Sequence, residues 1–236
     1  CCCCCCCCCC CVGPSGLCRH SQATGTAANM LALATVTPPY GVVYSPAGSH
    51  AASDECNAPE SAMSGAKFIA VPAPDGKVDP GPLDEMIANN LEASEKYFHS
   101  LPTTISITNV TEAGTVYSAA ETAAIGAVAK KHGLVLHLDG ARFGNAVAAS
   151  GSSPAELTWK AGVDVMSFGC TKNGAMAAEA VVFFNRSLVR DFRYRYKRAG
   201  QLWCKMRFLS AQIEGYLAND CWIKNATHAN SERQQI

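Results

Sequence analysis

The sequence predicts an α/β protein of three layers, a mostly parallel mixed sheet with helices on both faces. Three observations lead there. Short, near-continuous apolar runs such as Leu134–Leu138 and Val163–Phe168 are too brief for helices and suit buried strands. Ahead of each lies a segment opened by a capping box, Ser118 with Glu121 and Ser153 with Glu156, and closed by Gly133 and Gly162 respectively. The alternation continues along the chain with no internal repeat and no long linker.

Taken in order, residues 12–23 carry turn residues and little pattern. Thr24-Gly25-Thr26 then opens a run of strong helix formers, Ala27 to Ala34, which Pro38-Pro39 ends. Val42–Tyr44 is a strand, and a loop follows through Ser49 and His50. Asp54 to Ser64 is expected as one helix and Lys67–Val71 as a strand. Asp79-Pro80 starts a helix through Ala93, and Ile105–Asn109 is a strand. The two capping boxes each head a helix, with the Leu134–Leu138 strand between them ending at Asp139. The Val163 strand runs out into Thr171-Lys172-Asn173-Gly174. Ala180–Phe184 is one more strand, residues from Ser187 form a helix with a cationic face, and the chain turns polar from Ala226.

Composition narrows the partners. At 49% hydrophobic and 16% charged, the 236 residues can bury a large core in one domain or a domain and part of another. Nineteen basic residues balance nineteen acidic ones, which argues against nucleic acid or an anionic membrane surface as partner. No apolar run approaches the roughly 18 residues that span a bilayer. Residues 1–11 are all cysteine. No physical principle makes adjacent thiols a fold element, so the run is treated as a sequence artefact, and 1–22 as artefact plus irregular segment. Cys18, Cys56, Cys170, Cys204 and Cys221 remain, an odd number without a C-x-x-C pair, as expected of a reduced cytoplasmic protein. His50, Asp54 and Cys56 lack the second Cys/His pair that a metal site would need, and none is assigned.

The chemistry gathers at strand ends, where ligands of such sheets bind. Asp139 ends one strand and Lys172 follows another. A lysine there is easily desolvated and becomes a nucleophile toward carbonyl compounds. Thr24-Gly25-Thr26 offers a helix N-terminus to an anion. Carboxylate, amine and anion cradle together fit pyridoxal 5′-phosphate. Asp139 could instead pair with Arg142, three residues on.

From about Ala23 onward the chain resembles the threonine aldolases, of the aspartate-aminotransferase-like (fold type I) pyridoxal enzymes. The resemblance rests on TGTAAN at 24–29, His50 within its DEC-APE surroundings, AGTVYS at 113–118, HLDGARFGNA at 137–146, TKNG at 171–174 and AGQLWCKMRFLSAQ at 199–212. It implies a pyridoxal-binding large domain over 23–215, with 216–236 beginning the connection to a smaller C-terminal domain that is missing here. By the same resemblance Lys172 carries the Schiff base, Asp139 faces the pyridine nitrogen, and Thr24, Gly25, Thr26 and Thr171 hold the phosphate. His50 stacks on the ring. Arg142 holds the substrate carboxylate or orients the cofactor, and Thr111 and Lys197 contact substrate.

The implied reaction cleaves the Cα–Cβ bond of threonine-like or phenylserine-like amino acids to glycine and an aldehyde. The base for the β-hydroxyl is His50, Glu112 or a water held by Thr111, which stands where many relatives carry histidine. The alternatives are a β-eliminating pyridoxal lyase of the same fold and a catalytically silent fragment. Family members assemble, so a homodimer or homotetramer is expected.

Overall fold

The computed structural model describes residues 18–96, 99–203 and 205–233. The reading of the poly-cysteine run, and that of Cys204, lie outside them. Among the described residues seven strands form one sheet: β1 (Cys18–Gln22), β2 (Gly41–Pro46), β3 (Lys67–Val71), β4 (Leu101–Thr108), β5 (Val135–Gly140), β6 (Val165–Gly169) and β7 (Glu179–Phe183). Their spatial order is β1-β7-β6-β5-β4-β2-β3. The pairs from β3 through β6 are parallel, and β7 runs antiparallel to both β6 and β1. This is the mixed, mostly parallel sheet expected.

The helices are α1 (Gly25–Val36), α2 (His50–Ser53), α3 (Ala58–Ala62), α4 (Pro80–Glu95), α5 (Ala119–His132), α6 (Phe143–Ser150), α7 (Phe192–Arg198), α8 (Arg207–Leu217) and α9 (Cys221–Arg233). Thr24 caps α1 and Asp79 caps α4. The capping box of Ser118 and Glu121 heads α5, and Gly133 ends it in the left-handed conformation.

Three local expectations are corrected. Residues 18–22 are a strand, because β7 supplies a pairing edge that CRHSQ does not announce by composition. The helix expected over 54–64 is shortened to α3 (Ala58–Ala62), since Cys56 and Asn57 take positive φ values of 52 and 58. The box at Ser153 and Glu156 forms, with Glu156 N–H on Ser153 Oγ at 3.3 Å, yet only turns and a 3-10 segment (Trp159–Ala161) follow. There the Thr158 hydroxyl donates to the Pro154 carbonyl at 2.6 Å, and the segment is too short to offset helix nucleation. The polar stretch after Ala226 is helical, and α9 docks on α6, where Asn145 and Asn230 exchange two hydrogen bonds of 3.1 Å.

Alternation along the strands separates the two faces of the sheet. One face carries Val42, Tyr44, Ile105, Ile107, Leu136, Leu138, Met166 and Phe168 into a continuous apolar core under α4, α5 and α6. The other, under α1, is apolar at β6 and β7 (Val165, Val181, Phe183) and polar at its centre.

Candidate active site

The polar centre rises to the carboxyl ends of β4, β5 and β6. Thr108, Asp139 and Ser167 stand side by side in register there. The end of β6 approaches residue 141 closely: a Cβ on Gly169 would sit 2.5 Å from the Ala141 carbonyl oxygen, so only glycine fits. Beyond it, residues 171–173 form a 3-10 turn that carries Lys172. Asn173 pins the turn by donating to the Tyr216 hydroxyl at 2.7 Å and the Trp222 carbonyl at 2.8 Å.

A cavity of about 390 Å³ opens at this edge, and its wall includes Thr24, Gly25, Thr26, His50, Asp139, Arg142, Thr171 and Lys172. At its α1 end the Thr24 hydroxyl accepts from Ala27 N–H at 3.1 Å, and Ala28 N–H makes the first intrahelical bond, to the Thr24 carbonyl. The N–H groups of Gly25 and Thr26 precede that bond. A Cβ built on Gly25 would meet no atom within 4 Å, so the space beside these groups is open to an anion.

Asp139 is buried. Its Oδ2 accepts from Asn29 Nδ2 at 2.8 Å and its Oδ1 from Ala141 N–H at 2.9 Å. Among the described residues no ion pair engages it, and the pairing with Arg142 is not formed. A buried carboxylate without a cation is costly, and a protonated pyridine nitrogen is the partner this position suits. Pyridoxal phosphate therefore fits the residues present: a carboxylate for the ring nitrogen, an amine at Lys172 and an open helix N-terminus for the phosphate.

His50 opens α2. Its backbone N–H donates to Glu112 Oε1 at 2.8 Å, and its ring Nδ1 lies 3.1 Å from Glu55 Oε1. Burial pushes the Glu55 carboxyl above its ordinary range, and does the same for Glu179, which accepts from Cys170 N–H at 3.3 Å. The Thr171 hydroxyl is bound to both backbone groups of Ala178, donating to the carbonyl at 3.3 Å and accepting from the N–H at 3.1 Å.

Lys172 is exposed rather than desolvated. It stands past the strand end, where it also borders a second cavity of about 770 Å³ between α6 and α9. Thr111 and Lys197 do not line the first cavity. The Thr111 hydroxyl is held by the Thr115 hydroxyl at 2.7 Å, and Lys197 lies on the solvent side of α7, whose buried residues are Phe192 and Tyr196. Sequence reasoning passed over Asn29, Glu55 and Glu179, which share the wall. Asn29 had a signal: it is the lone amide in the otherwise aliphatic stretch from Ala27 to Ala34.

A three-layer α/β sheet with this strand-end site defines the class of fold type I pyridoxal enzymes. The chain belongs to the beta-eliminating lyase family, whose model matches residues 21–236. Members of that family are pyridoxal-phosphate dependent. The chain is 47% identical over 206 residues to low specificity L-threonine aldolases from Pseudomonas sp. (strain NCIMB 10558) and Pseudomonas aeruginosa, over 87% of this chain and 58% of each relative. It thus spans little more than half the length of these curated relatives. A solved threonine aldolase from Leishmania major superposes with a TM-score of 0.83 at 28% identity, over 91% of this chain and 61% of that one.

Proposed function

We propose that this chain is the cofactor-binding part of a pyridoxal-phosphate-dependent aldolase that cleaves threonine-like β-hydroxy-α-amino acids to glycine and an aldehyde. The supporting observation is the single cavity shared by Lys172, Asp139, His50 and the 24–26 helix start. Likeness to the Pseudomonas threonine aldolases adds the substrate class.

Lys172 would hold the cofactor covalently, Asp139 would hold a proton on its ring nitrogen, and Gly25 and Thr26 would bind its phosphate, with Thr171 beside them. The bound cofactor supplies an aromatic ring that draws off the electron pair left at Cα when the bond to Cβ breaks. Arg142 offers a guanidinium fork to the substrate carboxylate. The β-hydroxyl proton goes to His50 or Glu112, both on the cavity wall. Thr111 and Lys197 would reach substrate only from outside this wall. The assembly would be a cytoplasmic homodimer or homotetramer, which sedimentation with cofactor checks.

The test is to incubate purified protein with pyridoxal phosphate and threonine, and separately to reduce it with borohydride. Glycine with acetaldehyde, and a reduced adduct at Lys172 that Lys172→Ala abolishes, are the expected results. Pyruvate and ammonia would instead establish the β-eliminating alternative. No adduct at Lys172 would defeat the pyridoxal reading altogether.

A further inference from the structure

We infer that Glu55 is a positioning residue of this site, fixing His50 as the tautomer that carries its proton on Nδ1 and presents an unprotonated Nε2. The inference rests on the function proposed above for its catalytic meaning, but its geometry stands apart from it. Glu55 and Asn29 are both buried and both on the cavity wall. Asn29 Nδ2 donates to Glu55 Oε1 at 2.9 Å and to Asp139 Oδ2 at 2.8 Å. His50 Nδ1 meets that same Glu55 oxygen at 3.1 Å. One carboxylate oxygen therefore ties the imidazole, through an amide, to the aspartate at the end of β5.

The direction of the His50 bond follows from proton counting. Oε1 already accepts from the amide. An ionised Glu55 has no proton to give, and its Oε2 is buried with no hydrogen-bond partner among the described residues. With Glu55 ionised, Oε1 is therefore the acceptor and the His50 Nδ1–H the donor. The hydrogen bond at one ring nitrogen sets the role of the other, so Nε2 keeps its lone pair and can take a proton from a substrate hydroxyl. Other charged groups on the same wall are Asp139, Glu112, Glu179, Arg142 and Lys172. Of these, Glu112 meets His50 at its backbone N–H and leaves the ring untouched.

The experiment uses ¹⁵N-histidine-labelled protein without cofactor, with long-range ¹H–¹⁵N correlation at a pH where the ring is neutral. The His50 signals are assigned by their absence in His50→Gln. The wild-type chain should show Nδ1–H as the dominant form, and Glu55→Gln, which retains an oxygen acceptor, should preserve it. Glu55→Leu should make Nδ1–H the minor form. A wild-type His50 protonated on Nε2 overturns the inference without need of any variant, and so does an unchanged tautomer in a folded Glu55→Leu protein. These readings need neither cofactor nor turnover. A missing adduct at Lys172 would therefore remove the proposed function while leaving the tautomer result to be judged by itself.

Discussion

The two faces of one sheet differ in what holds them. Under α4, α5 and α6, Ile105, Ile107, Leu136 and Leu138 bury hydrocarbon and need no partners beyond packing. On the α1 side of the same strands, Thr104, Ser106, Thr108, His137, Asp139 and Ser167 are equally buried. The polar groups there are matched across strands, to α1 or its C-cap Thr37, or, for Thr108, to Glu112 in the loop that follows. Ser106 Oγ lies 2.9 Å from His137 Nδ1, Ser167 Oγ lies 3.1 Å from His137 Nε2, and Asn29 reaches Asp139. Hydrophobic burial would have been the simpler way to fill that space. The upper part of this polar stripe, next to the cavity at Thr108 and Asp139, is better understood as the support of the site, with the opposite face supplying stability.

The largest effect should come from the apolar face. Leu138 is 1% exposed, and Leu138→Ala should destabilise the chain by about 2–5 kcal/mol through lost transfer energy and a residual cavity. Urea denaturation measures it, and pyridoxal binding to the fraction that remains folded should be unchanged. A variant that kept its stability but lost cofactor would reverse the assignment of the two faces.

His137 gives a smaller effect with a pH signature. Burial lowers its pKa from 6.5 to about 4, against a smaller opposing pull from Asp139. The unfolded chain takes up this proton near pH 6.5, while the folded one resists it until about pH 4. Stability is therefore full above 6.5 and falls as pH drops through that window. His20, lowered to about 4 by burial, acts in the same sense. Glu55 and Glu179, raised by burial, act oppositely, since their folded forms bind protons first. His137→Leu strands the hydroxyls of Ser106 and Ser167, at about 1–3 kcal/mol near neutrality. Its urea midpoint should also decline less steeply than wild type on acidification. Parallel declines would mean that His137 is not the buried neutral base described.

This contrast explains what could be read from sequence. The strands β2 to β7 were legible because their apolar face makes runs of hydrocarbon, and Asp139 and Lys172 stood out by interrupting strand ends. Asn29 and Glu55 did not, because Asn29 lies 26 residues from Glu55 and 110 from Asp139, and only folding brings the three together. The same holds for β1, whose strand character comes from pairing with β7, and for Lys197, whose basic neighbours gave no clue to which face of α7 meets the core. Thr111 was placed by its resemblance to a family position, whereas its hydroxyl is committed to the turn it closes.

The smallest effect offers the sharpest test of the polar face. The hydroxyls of Thr37 and Thr104 form a buried pair 2.8 Å apart. Thr104 lies four residues before Thr108, about 13 Å down the strand from the cavity. Thr104→Val leaves Thr37 with an unmatched buried hydroxyl and should cost about 1–3 kcal/mol, whereas the double replacement by valine removes both groups and should cost close to nothing. The double variant should also retain the borohydride-reducible adduct at Lys172 in full, since this pair is too distant to support the site. If the double variant instead loses at least as much stability as the single one, mutual hydrogen bonding is not what offsets the polarity of this face.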